Sequence, residues 1–383
     1  MRTEDAGLPG GERIGTVTTM SHAKRIVTAA GLLTVGLVLA ACSSGGGIAP
    51  TASPTKSAGI DFSSPVQLTF VAYGGAGQQV QTDSWQTPYT ALHPNVTFNN
   101  TSPPDPAQVK AQVTSGQVLW NVVATPPYAA AQNCGTLFEK LDMSALDKKD
   151  YPPNTIGDCY VDNFINAPIM AYNPADFPGG AGPKTIADFF DTKKFPGKRG
   201  VVSDLQNGLL EYGELGAGVK PSKVYPIDMD KALAPWTKIK DQTIFAPNVG
   251  ALQQAVASNQ VSAWFLVSSR QLALLQSGLK IVPVWDKTVT AANALAIPKG
   301  AANKDIAEDF IRFVAQPEQQ AKEAENGGVT AINLKSKPTL SADAKAVDPI
   351  SNEKAADLVS QDVTYYAKNF NQLTVQLTNW LAG

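Results

Sequence analysis

Two hydrophobic periods alternate along this chain, and that alternation limits its folds more than any other feature. Residues 66–72 (VQLTFVA) start with every second position apolar and end apolar on both faces, as a strand entering a buried sheet does. Helical spacing follows at 78–92, a second strand at 95–98, a second helix at 107–116 and a third buried strand at 121–124. Strands joined by helices are parallel, because a tight turn only reverses direction. The expectation is an α/β fold built on a mostly parallel sheet wrapped by helices.

A second rhythm of the same kind follows. The apolar run 164–172 (FINAPIMAY) leads into Pro174, Pro178, Gly179 and Gly180. Strands are then predicted at 201–203, 261–267 and 281–285, and helices at 204–216 (with Asp204 as N-cap), 251–257 and 270–277. Residues 363–381 make a long C-terminal helix. A folded part of roughly 320 residues exceeds what one hydrophobic core sustains, so two lobes with a cleft between them are expected. In open α/β sheets ligands sit beyond the carboxyl ends of strands, which makes Tyr73-Gly74-Gly75 and Pro127-Tyr128 lip candidates.

Several chemistries lack their residues. The glycines at 74, 75 and 77 are followed by no Gly-Lys-Ser/Thr and do not have dinucleotide-binding spacing, so they read as a tight loop. No Gly-x-Ser-x-Gly is present, and His93 is the one histidine beyond residue 22, too few for a metal site or a well-placed catalytic base. No cofactor is expected, and an enzyme is not. The charge balance, 31 Lys+Arg against 33 Asp+Glu, leaves no basic stripe for nucleic acid.

The N-terminus carries its own signal. Lys24-Arg25 precede an apolar core at 26–41, shorter than the roughly 20 residues of a permanent membrane span. It ends at Leu39-Ala40-Ala41-Cys42, which resembles the lipobox of bacterial lipoproteins. The resemblance implies that 1–41 are removed and that Cys42 is lipidated, placing the chain at the outer face of the cytoplasmic membrane. Glu4, Asp5 and Glu12 do not suit a signal n-region, so translation is expected to start at Met20 and residues 1–19 to be untranslated. Residues 42–64, rich in Ser, Gly and Pro, read as a tether whose 22 residues after the cysteine reach about 25 Å. With Cys42 taken by lipid, Cys134 and Cys159 are expected to pair in an oxidising compartment, adding about 3 kcal/mol by closing their loop.

Motifs spread over 66–383 resemble extracellular solute-binding proteins of ABC importers, in the spermidine/putrescine-binding branch. They are Gln108-Val109-Lys110-Ala111-Gln112-Val113-Thr114-Ser115-Gly116, Trp120-Asn121-Val122-Val123, Ala171-Tyr172-Asn173, Ala187-Asp188-Phe189-Phe190-Asp191, Lys194-Phe195-Pro196-Gly197-Lys198-Arg199-Gly200, Leu295-Ala296-Ile297-Pro298-Lys299-Gly300 and Phe310-Ile311-Arg312-Phe313 followed by Gln316-Pro317-Glu318-Gln319-Gln320. The resemblance implies a two-lobed, type II periplasmic-binding-protein-like fold that closes on a solute by hinge motion. Lobe one is expected at 66–166 and 294–337, lobe two at 167–293 and 338–383. It also implies a monomer that delivers a small-molecule solute to membrane permease subunits.

The family's polyamine pocket transfers poorly. Its acid before the Leu-Ala-Ile-Pro motif falls on Asn293, its aromatic on Ala291, a strand-end Trp on Val267, and two further acids on Leu205 and Gly208. Arg270, if it faces the cleft, would repel a dication. The candidate ligand residues are Tyr73, Gly74, Gly75, Tyr128, Asn166, Asp204, Asn207, Asn248, Arg270, Trp285 and Asn293. The solute is expected to be polyamine-type by resemblance, with an anionic or amino-acid-like solute, or a tethered ligand sensor, as alternatives.

Overall fold

The computed structural model describes residues 59–354 and 357–383, so the signal segment, Cys42 and the tether through residue 58 lie outside the described residues. Strand β1 (Val66–Val71) turns Leu68 and Phe70 to one face and Val71 to the other, each into a different apolar cluster. Helix α1 (Gly75–Gln81) runs through one π-helical turn at Thr82–Gln86 into α2 (Thr87–Leu92), beginning three residues ahead of the expected start at 78. Then come β2 (Val96–Thr101), α3 (Pro106–Ser115), β3 (Val122–Thr125) and α4 (Pro127–Gln132). Asp105 accepts from the amide of Ala107 to start α3, Pro106 fills its first position, and Gly116 ends it at φ 69°. Strand β1 pairs in parallel with both β2 and β3. The Cys134–Cys159 disulfide ties the segment that follows.

The apolar run at 164–172 is not one strand. Strand β4 (Val161–Asn166) belongs to the first sheet and β5 (Pro168–Tyr172) to the second, with Ala167 alone between them. The second sheet collects β6 (Arg199–Val202), β7 (Thr243–Ala246), β8 (Ala263–Val267) and β9 (Val282–Val284) in the order β7-β6-β8-β5-β9. Its helices are α5 (Ile186–Phe190), α6 (Leu209–Gly216), α7 (Met229–Lys238), α8 (Val249–Ala257) and α9 (Ser268–Gln276). Side chains alternate across this sheet: Met170, Val201 and Phe265 enter one cluster, Ala171, Val202 and Trp264 the other. The family-like run ending in Arg199 has a structural explanation. Its fully buried guanidinium donates to the carbonyls of Phe189 (2.7 Å), Phe195 (2.6 Å) and Gly197 (2.7 Å), fastening α5 to β6.

Strand β10 (Thr288–Ala296) returns to the first sheet, followed by α10 (Lys304–Val314), α11 (Pro317–Gly327), β11 (Thr330–Ala331), α12 (Ala342–Ala346), α13 (Pro349–Asn352), β12 (Leu358–Ser360) and α14 (Val363–Ala382). The first sheet has the order β11-β4-β10-β3-β1-β2, with β12 alongside β10. Both sheets are mixed. The βαβ strands pair in parallel, while the pairings of β4 and β10 with each other and with β3 and β11, and of β5 with β8 and β9, are antiparallel. At the junction of the lobes the Tyr212 hydroxyl donates to the carbonyl of Pro168 and accepts from the amide of Val289 (3.1 Å), so one phenol touches both crossing segments.

Two further departures have physical causes. Asp204 does not cap a helix: its carboxylate closes a turn on Asn207, and α6 begins at Leu209 after Gly208 at φ 72°. The folded part also starts ahead of Val66, inside the segment read as tether. Ile60 and Phe62 pack on the first core, and Phe62 stacks on His93 with ring centres 3.9 Å apart, because two apolar side chains sit within reach of an open edge.

Candidate functional site

Between the lobes lies a cleft of about 1100 Å³, counting the space at its open mouth. The first-lobe wall starts with the loop after β1. Gly74 (φ 71°) and Gly75 (φ 62°) hold left-handed conformations, and a Cβ on Gly74 would lie 2.8 Å from the Ser102 hydroxyl oxygen. The loop thereby passes close to the 101–103 segment and presents Tyr73 to the cleft. Crowding by the cleft walls, and then the nearby Asp204 carboxylate, raise the Tyr73 hydroxyl pKa, while Gln206 acts as a hydrogen-bonding partner against that rise. Tyr73 nevertheless keeps 43% of its surface open, because it stands on a wall and not in a core.

Behind it, α1 supplies Gln78 and Gln81. Gln78 donates to the Asn100 side chain and to the Thr101 carbonyl, each at 3.2 Å. Gln81 donates to Glu323 on α11 at 3.3 Å. Glu323 lines the cleft yet is only 3% exposed, and burial pushes its carboxyl pKa well up, with the Gln81 hydrogen bond opposing. Strands β4 and β10 add Phe164, Asn166, Ala291, Ala292 and Asn293. The Asn293 amide donates to Asn163 at 2.9 Å, but its own oxygen is buried without a partner. The register between β4 and β10 shifts just there, between Asn293 and Ala294.

The second-lobe wall is built by the turn after β6 and by α9. Asp204 accepts from the backbone and side-chain nitrogens of Asn207 at 2.8 Å, which fixes the turn that shows Gln206 and Asn207 to the cleft. Ser269, Arg270, Leu272, Ala273 and Gln276 come from α9. Asn166 holds the start of that helix, donating to Ser269 Oγ (3.1 Å) and accepting from Ser268 Oγ (3.1 Å). Among the described residues no hydrogen bond or ion pair engages Arg270; burial lowers its pKa, though a guanidinium keeps its charge at neutral pH. Arg270 and Glu323 are the charged side chains of the lining, one on each lobe. Amides from Gln78, Gln81, Asn166, Gln206, Asn207, Gln276 and Asn293 share the walls with them. Such a lining can clasp a small polar molecule bearing charge, and among the described residues there is no cluster suited to a metal ion.

The structure thus brings together Tyr73, Gly74, Asn166, Asn207, Arg270 and Asn293. Five other candidates stand elsewhere. Gly75 shapes the loop but is not on the wall. Tyr128, 3% exposed, is sandwiched by Tyr366 and Phe370 of α14, with ring centres 5.2 and 5.0 Å away. Asp204 spends its oxygens on Asn207 behind the wall. Asn248 is the exposed N-cap of α8, accepting from Ala251 at 2.9 Å. Trp285 packs in a small apolar cluster with Ala167, Ile169 and Leu272. Gln78, Gln81, Gln206, Ser269 and Glu323 were missed: polar residues on amphipathic helices look solvated until the partner lobe is placed over them.

Two lobes, each a sheet wrapped by helices with a cleft between, define a solute-binding protein of the type II periplasmic-binding kind. Residues 85–349 match the model of the bacterial extracellular solute-binding protein family, and the chain belongs to that family. Proteins of this family capture small molecules for ABC importers and are not enzymes. A gamma-aminobutyric acid-binding protein of Pseudomonas aeruginosa is 26% identical over 339 residues, covering 85% of this chain and 95% of that protein. A solved GABA receptor is 31% identical with a TM-score of 0.74, covering 82% of this chain and 98% of its own. The periplasmic binding protein AgtB of A. tumefaciens R10, solved with agropinic acid, is 25% identical with a TM-score of 0.73, covering 83% and 99%.

Proposed function

We propose that this chain is the lipid-anchored capture subunit of an ABC importer and that its solute is a small amino-acid-like molecule held by its carboxylate on Arg270. The observation that carries the reading is Arg270 itself, a cation on the cleft wall with no partner among the described residues. A guanidinium in that state is suited to bidentate pairing with a carboxylate. Relatives described as binding GABA and agropinic acid support the same class. The polyamine reading is set aside: a dication requires spaced acids, and the lining offers one acid facing one cation.

In this reading the signal segment ending at residue 41, with translation starting at Met20, directs export, Cys42 takes the lipid, and the chain works as a monomer at the outer face of the cytoplasmic membrane. Lobe one comprises 66–166 and 294–337, and lobe two 167–293 and 338–383. Solute bridging the two would shift the population towards a closed form that docks on the permease.

The test is thermal denaturation with GABA, succinate and putrescine. A ligand at a hundred times its Kd adds about 2.7 kcal/mol, a rise of a few degrees for a chain of this size. A rise with GABA and none with putrescine is expected; the reverse would contradict the reading. Replacing Cys42 by Ala should release the protein from membranes with binding intact, and a variant that stays membrane-bound would refute the anchor.

A further inference from the structure

Glu323 has no structural explanation of its own. It is 3% exposed, its Oε1 accepts from Gln81 at 3.3 Å, and its Oε2 has no partner. The oxygen of Gln81, itself 5% exposed, is likewise unpartnered. Two acceptor groups therefore converge on the first-lobe wall of the cleft with hydrogen-bonding capacity unused. Among the described residues no hydrogen bond or ion pair from a basic side chain reaches them. Lys322, next along α11, is exposed, and among the described residues no ion pair reaches Glu323. A buried carboxyl left this way costs stability, and a core glutamate without a role would be replaced by an apolar residue at no loss. Burial raises its pKa well above the ordinary glutamate value.

We propose that Glu323 and Gln81 form an ammonium-binding pole opposite Arg270, so that the cleft selects a zwitterion whose carboxylate and amine engage different lobes. This rests on Arg270 being the carboxylate anchor and adds the second charge of the ligand. Helix α9, which carries Arg270, follows a strand of the second sheet, whereas α11 packs against the first. A molecule with only one of the two charges would dock on one lobe and gain little from closure. A zwitterion would draw the lobes together.

Titration calorimetry of the whole protein with GABA, butyrate and butylamine tests this without relying on any variant. The expected result is GABA at least about tenfold tighter than either single-charge analogue, about 1.4 kcal/mol. Glu323→Gln, which keeps shape and removes the charge, should lose about tenfold or more for GABA relative to butyrate. Butyrate binding as tightly as GABA, or Glu323→Gln binding GABA unchanged, would overturn the ammonium pole and leave the Arg270 anchor standing. Butylamine bound tightly, carboxylates bound not at all and the affinity lost in Glu323→Gln would overturn the anchor and keep the pole. Binding of none of the three would overturn both.

Discussion

Side chains in and just behind the lining fall into those already satisfied and those left open, and the open ones carry the chemistry. Asp204 is saturated by Asn207, and Asn166 is spent on Ser268 and Ser269; both shape the walls. Arg270, one oxygen of Asn293 and one oxygen of Glu323 remain available. Buried acids of this kind leave a signature in the dependence of stability on pH. Burial raises the carboxyl pKa of Glu323, Glu211 and Asp162. Each then holds its proton more tightly folded than unfolded. Their contribution to stability is fully present below the ordinary carboxylate range, near pH 4, and is lost as pH rises through the elevated folded values. The melting temperature is expected to fall as pH rises above the ordinary carboxylate range, and Asp162→Asn should flatten that slope because the amide does not ionise. A slope unchanged in Asp162→Asn would remove that residue from the account.

Among the elements, α9 and α11 matter most because they face each other across the lobes. Gly328, at the end of α11 with φ 64°, leaves no room for a side chain: a Cβ would lie 2.8 Å from Leu272 Cβ and 3.0 Å from Ser269 Cα. Gly328→Ala is therefore expected to cost about 1–2 kcal/mol from the left-handed backbone alone, with the wedge against α9 added. Melting should fall by several degrees and solute should bind more weakly; a variant as stable as the parent would show that the two helices part easily. The elements themselves were largely legible in the sequence, since strand runs such as 66–72 and 121–124 announce themselves by period. The run 164–172 was not, because nothing in an unbroken apolar stretch marks that Ala167 separates two sheets. Tyr128 misled for a related reason: it follows a strand end, as a lip residue would, but the aromatic face of α14 comes from more than 230 residues later in the chain.

For the whole molecule, two lobes with a cleft between them follow from length and rhythm, and the family match agrees. The chemistry of the cleft was only half legible. Arg270 and Asn293 were found where family motifs gave them an address, whereas Glu323 lies on a helix whose other acids, Glu318 and Glu325, look the same in sequence and differ only in what covers them. Recognition in this cleft comes down to how a solute sits between those walls. A crystal structure of the protein with GABA is the most direct measurement. The prediction is a closed form with the ligand carboxylate paired to the Arg270 guanidinium and the amine turned to the opposite lobe. A ligand lying in the cleft with Arg270 facing solvent, or with its amine against the second lobe, would contradict it.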